Sequence, residues 1–253
     1  MKAGHPDAAR LGAETFAFID QHLTNDSGAS FLETSEGGAP RRSNPHMHLF
    51  EAFLAWHKVT GEASYLARAT KIADLFAARF FDADTWTLGE FFESGWSPAP
   101  GDKGEWTEPG HHFEWASLLV EYGEAANRPE FFAHARKLYA SAIANGLNRA
   151  TGLAYDAVSK YGIPLVRTSR SWPQTEALKA AMALDRINGP DMKPEIEARA
   201  NRLFRWHIEP APEGMWIDLI DEKGRAKSAD VPASIFYHLV YALTAYLRTG
   251  HAG

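Results

Sequence analysis

Cysteine is absent from this 253-residue chain. That excludes disulfides, thiolate catalysis and cysteine-held metals, and is compatible with a reducing compartment. No apolar run approaches the roughly 20 residues a membrane helix requires, so no membrane partner is expected. Positive charge is scarce: 26 Lys and Arg against 32 Asp and Glu give a net charge of -6, with no basic cluster able to track a phosphate backbone. Nucleic acid is therefore not expected as a partner. The opening residues MKAGHP lack an apolar export segment, which makes the cytoplasm the default location.

The chain does have the means to build a core. It is 45% hydrophobic and 12% aromatic; a length of 253 residues suggests between one and two domains, and the repeat described next is read as a single domain over 1–253. Its most informative feature is a repeat. Asn44 to Gly61, Glu108 to Asn127, Ser171 to Asn188 and Asp230 to Gly250 are similar stretches whose starts lie 64, 63 and 59 residues apart. Each carries Pro near its start, where a missing N–H costs nothing, and most end near Gly or Asn, so four helices are predicted. A second set begins at His5, Glu62, Arg128 and Lys193 and has apolar positions on one face only; Leu66, Ala69, Ile72, Ala73, Phe76 and Phe80 form such a stripe.

The first set is apolar round most of its circumference and the second is amphipathic, as in an inner ring wrapped by an outer one. Short segments after the outer helices read as loop and strand: Asp26 to Glu33, Asp82 to Phe92, Ala150 to Val158 and Glu213 to Ile220. The fold expected is all-α, a partial (α/α) barrel with hairpin-like loops. Because the chain opens on an outer helix, it reads as N-terminally incomplete. The flanks of the Asn44 to Gly61 and Asp230 to Gly250 helices are then expected to be exposed, with homo-oligomerisation or poor solubility as the consequence.

Chemistry gathers at the starts of the inner helices. His48-Leu-Phe-Glu51 and His111-His-Phe-Glu114 lie 63 residues apart, and Pro173-Gln-Thr-Glu176 takes the third place. Residues at i and i+3 share a helix face, so each Glu is positioned to orient its His. His238 sits in the first turns of the fourth inner helix; His46, Asn44, Trp96, Trp106, Trp115, Trp172 and Gln174 fall around the same ring. Three chemistries compete. A metal site would draw on His46, His48, His111, His112 and His238, a weak pattern without positioned Asp residues. A glycosidase would use two of Glu51, Glu108, Glu114 and Glu176. Two histidines serving as acid and base would suit proton abstraction beside a carbonyl, with aromatic walls for a sugar.

The strings RRSNPHMHLFEA (Arg41 to Ala52), EPGHHFEW (Glu108 to Trp115), SRSWPQTEALKAA (Ser169 to Ala181) and PASIFYHLVYAL (Pro232 to Leu243) closely resemble the N-acylglucosamine 2-epimerase superfamily. The resemblance runs over essentially the whole chain. It implies an (α/α)6 barrel, of which this chain has about eight of twelve helices, and catalysis without metal or cofactor. His111 with Glu114 resembles the first catalytic pair and His238 the second catalytic histidine. His48, with Asn44 and Glu51 beside it, resembles the substrate-binding motif; Trp115, Trp172 and Glu176 match sugar-contacting or base-orienting positions. An arginine on an early inner helix has no counterpart here, and Arg41, Arg42, Arg167 and Arg170 are the nearest substitutes. The implied activity is aldose–ketose isomerisation of mannose or mannose 6-phosphate through a cis-enediolate. The alternatives are a 2-epimerase or an inactive fragment that only binds carbohydrate. His48, His111 and His238 are expected to point into one cavity.

Overall fold

The computed structural model describes residues 5–25, 30–38, 40–227 and 230–248. Among them the eight expected helices are present. The outer ones are α1 (Ala8–His22), α3 (Ala63–Leu75), α6 (Glu130–Asn145) and α8 (Lys193–Leu203). The inner ones are α2 (Asn44–Thr60), α5 (Pro109–Ala125), α7 (Ser171–Asp185) and α9 (Phe236–Arg248). A one-turn helix that the sequence pattern did not indicate, α4 (Asp102–Glu105), precedes α5. Two outer helices end in a widened turn, Phe76–Phe80 after α3 and Phe204–Ile208 after α8.

Helix ends follow local chemistry. α2 stops where Gly61 adopts the left-handed backbone (φ 74°) and returns its N–H to His57. The fourth inner helix starts later than the expected Asp230, because Pro232 holds an extended backbone (ψ 124°). A short 3-10 turn over Ala233–Ile235 then leads into α9. Gly250, the expected end of that helix, lies outside the described residues, as do residues 26–29 of the first expected strand segment.

The chain divides into two compact units, residues 1–81 with 89–104 and residues 82–88 with 105–253. In the first, α1, α2 and α3 meet through Phe16, whose ring packs on Phe53, Trp56 and Tyr65. In the second, inner helix α7 packs against inner helices α5 and α9 and against outer helix α8, while α5 also packs on α6. Every residue from Ser171 to Leu184 is buried. That is the all-round burial expected of an inner helix, against one-sided burial in α6 or α8.

Short strands clip the helix pairs together: β1 (Arg41–Arg42), β2 (Phe81–Asp82), β3 (Thr87–Leu88), β4 (Phe91–Phe92), β5 (Trp106–Thr107), β6 (Ala157–Ser159), β7 (Pro164–Val166), β8 (Ser169–Arg170) and β9 (Leu219–Ile220). Three of them immediately precede inner helices, β1 before α2, β5 before α5 and β8 before α7. Each pairs antiparallel with a strand that follows the next outer helix, as β1 with β4, β5 with β6 and β8 with β9. The start of every such inner helix is thereby tied to the segment that leaves its outer partner, which holds its first turn in place.

Candidate active site

The first turns of the inner helices are fixed by a recurring hydrogen bond. In α2, Nε2 of His46 accepts the N–H of Phe31 at 2.9 Å while Nδ1 donates to the Arg42 carbonyl. In α5, Nε2 of His112 accepts the N–H of Leu88 at 2.8 Å. In α7 a glutamine does the same: Oε1 of Gln174 accepts the N–H of Ala154 at 2.9 Å. Burial pushes His46 down to about 4, and burial followed by the neighbouring His111 pushes His112 down to about 3. Both are neutral struts, and the nitrogens that bind backbone cannot also bind a metal. Hydroxyl contacts repeat as well, since Ser43 donates to Glu90 and Ser171 to Asp218.

With those struts in place, two other histidines of the second unit meet one indole. The Trp172 ring lies 5.3 Å from the His111 ring and 5.6 Å from the His238 ring, tilted by 38° and 35°. His111 is the third residue of α5, His238 the third of α9 and Trp172 the second of α7. Each keeps only 6 to 7% of its surface exposed. Each histidine turns Nδ1 toward a carboxylate. His238 Nδ1 stands 2.7 Å from Oε1 of Glu176, and His111 Nδ1 stands 3.8 Å from Oε2 of Glu108. Nε2 therefore faces away from the carboxylate in both rings. Glu108 also receives the Trp106 indole N–H at 3.4 Å and lies 3.9 Å from Arg170. Arg170 is held in turn by Asp156 at 3.1 Å and lies 5.4 Å from the centre of the Trp172 ring.

Glu176 is fully buried and is gripped from its other side by the Lys179 ammonium at 2.8 Å. Burial alone would raise this carboxyl; the Lys179 charge, then His238, hold it below the usual carboxylate range. Glu114 joins them, as it, Glu176 and His238 each bring one ligand atom to within 4.8 Å of the others. Such a cluster is compact enough to hold a cation, and the positive charge at Glu176 comes from Lys179. Glu114 thus lies beside the second histidine's carboxylate, and the carboxylate described next to His111 is Glu108. Trp115 is fully enclosed among core side chains. Sequence reading had not singled out Lys179. Its signal is a lone charge in the apolar run ALKAAMAL, three residues after a glutamate.

The remaining candidates, Arg167 apart, belong to the first unit. His48 is exposed on the first turns of α2, Asn44 and Glu51 are half-buried on the same helix, and His46 is buried as described. Arg41 stacks 4.0 Å from the centre of the Trp96 ring and donates to Ser30, while Arg42 sits 3.7 Å from Glu33. Arg167, exposed in the second unit, pairs with Glu222 at 3.3 Å.

Buried inner helices, each coupled to an amphipathic outer one and carrying polar chemistry on its first turn, define an (α/α)-barrel type of protein. The chain belongs to the N-acylglucosamine 2-epimerase (GlcNAc 2-epimerase) family, which it matches over residues 1–242. It is 36% identical over 221 residues to a mannose-6-phosphate isomerase of Rhizobium meliloti, covering 85% of this chain and 57% of that protein. It is 32% identical over 204 residues to a D-mannose isomerase of Pseudomonas cannabina pv. alisalensis, covering 72% and 49%. The chain thus spans about half the length of the curated relatives it matches. Among solved structures, a D-mannose isomerase superposes with a TM-score of 0.83 at 19% identity, covering 98% of this chain and 67% of that one. A cellobiose 2-epimerase of Spirochaeta thermophila superposes at 0.79 with 20% identity, covering 97% and 65%. These likenesses establish the expected all-α, partial (α/α)6 fold class.

Proposed function

We propose that this chain carries the proton-transfer centre of a sugar aldose–ketose isomerase acting on mannose or mannose 6-phosphate. The observation that carries the reading is the pair of imidazoles flanking Trp172, each with a carboxylate at Nδ1 and Nε2 turned away from it. The 2.7 Å bond to Glu176 fixes the tautomer of His238, Glu108 faces Nδ1 of His111 at 3.8 Å, and an imidazole so oriented is suited to acid/base proton transfer. On an open-chain aldose, one histidine takes the C2 proton and leaves a cis-enediolate, and protonation at C1 yields the ketose. The indole supplies a flat apolar surface for the sugar's C–H face. The first turns of α5, α7 and α9 place the partial positive charge of helix N-termini near the developing oxyanion.

In this reading His111 and His238 are the acid/base pair. Glu176 positions His238, Glu108 positions His111, and Glu114 supports the Glu176–His238 pair from α5. For the first unit, the family resemblance proposes His48, Asn44 and Glu51 as substrate-binding residues. Trp115, with no exposed surface, contributes packing. The names of the mannose and mannose-6-phosphate isomerase relatives support the substrate class.

The test is incubation of mannose, mannose 6-phosphate and N-acetylglucosamine separately in heavy water, with products read by NMR. Ketose bearing deuterium at C1 is expected from one of the first two. His111→Ala and His238→Ala should each lower that rate by about 100-fold or more. An epimer labelled at C2 would replace the isomerase reading with the 2-epimerase one. Bound sugar without exchange would favour the carbohydrate-binding reading instead.

A further inference from the structure

We propose that Lys179 is a positioning residue for His238: its ammonium holds both oxygens of the buried Glu176 and so keeps that carboxylate turned onto Nδ1 of His238, with Nε2 presented for proton transfer. This rests on the proposed role of His238 in proton transfer, but the geometry behind it does not. Lys179 lies one turn along α7 from Glu176, 2.8 and 3.0 Å from its two oxygens, and is itself almost wholly buried. Its ammonium is also 5.0 Å from the centre of the Tyr241 ring, a cation–π contact between α7 and α9. An ammonium loses much hydration in such a place, and it is retained there only with a paired anion.

The charge pattern around His238 gives Lys179 its effect. From α7 the ring faces Glu176, with Lys179 behind it; from α5 it faces Glu114, with His111 across the shared Trp172 indole. Tyr237 and Tyr241 lie on its own helix. With Lys179 in place, one of the two carboxylate charges is neutralised before the imidazole takes a proton. Without it, two buried carboxylates face the ring with no fixed cation, and the imidazolium form is favoured. A neutral residue at 179 would therefore stabilise the protonated ring relative to wild type.

The experiment is an NMR titration of the His238 ring nitrogens in the whole chain, which requires no turnover. In Lys179→Met the His238 midpoint should rise by about one unit or more, a shift of the size a single nearby charge produces. Lys179→Arg should keep it near the wild-type position. Circular dichroism monitors the fold, and Lys179→Gln serves where Met is not accommodated. The wild type gives a result independent of any variant: the Glu176 carboxyl carbon should keep its ionised shift at pH 4.5. An unchanged or falling midpoint in folded Lys179→Met or Lys179→Gln overturns the proposal, and so does a protonated Glu176 in the wild type at neutral pH. If the titration moves as expected while no sugar is isomerised, the positioning role stands and the isomerase reading falls.

Discussion

His46 and His112 spend ring nitrogens on loop backbone, and both are held neutral far below the ordinary histidine range, at about 4 and about 3. The unfolded chain titrates these groups near 6.5. Between that value and the native one, the unfolded state binds protons that the folded state refuses. Stability therefore falls as pH drops from about 6.5, by up to about 1.4 kcal/mol per pH unit for each histidine. Gln174 performs the same task with an amide oxygen that does not titrate. His112→Gln is thus expected to be nearly neutral at pH 7 and to lose about 1.4 kcal/mol less per pH unit than wild type between pH 6 and 4.5. Urea unfolding across that range measures it, and parallel losses in both proteins would contradict the strut role. As metal candidates His46, His48, His111, His112 and His238 stood together in the sequence, because all are polar residues at the starts of repeated helices. What separates them is which side of the helix meets the preceding loop, a property of packing. Gln174, in the same role on α7, shows that this place on the helix needs an acceptor and not a titrating ring.

Between elements, α5 and α7 approach so closely that Gly110 faces the Trp172 ring. A Cβ there would come within 2.5 Å of Cη2 and 2.7 Å of Cζ3, and within 3.0 Å of Pro173 Cβ. Neither neighbour is the end of a flexible chain. Gly110→Ala is expected to shift the indole away from His111 and His238, at a cost of about 1 to 3 kcal/mol typical of overpacking. Thermal unfolding measures the cost and tryptophan emission the displacement. A normal emission spectrum with normal stability would mean that the indole is not wedged there. Helix existence and inner or outer character were legible from periodicity, since all-round apolarity and one-sided apolarity are different patterns. The strands before α2, α5 and α7 were not. Arg41-Arg42, Trp106-Thr107 and Ser169-Arg170 are too short to show alternation, and their pairing is set by the partner strand. The pairing of His238 with Glu176 crosses from α9 to α7, so the i,i+3 rule that suggested pairs within one helix could not find it.

Over the whole molecule, the fourth inner helix carries more apolar surface than its neighbours cover. α9 buries His238, Leu239 and Ala242, yet Phe236, Val240 and Leu247 are 55, 47 and 67% exposed along one stripe, with Tyr237 and Tyr241 exposed beside it. The other inner helices of this unit, α5 and α7, expose none of their large apolar side chains. In the first unit, Leu11 and Phe18 of α1 and Val59 of α2 are exposed as well. Scattered apolar side chains are ordinary on a surface, but a stripe along an entire helix is a surface that another apolar surface covers at the expense of water. The isolated 28.0 kDa chain is therefore expected to self-associate as its concentration rises. Val240→Glu with Leu247→Glu should suppress that without loss of helix content, because neither side chain contributes to the buried side of α9. Sedimentation velocity on both proteins over a hundred-fold concentration range measures the difference. Concentration-dependent association in wild type alone is the expected result, and a wild-type chain that stays at 28.0 kDa throughout would mean that the stripe is tolerated in water.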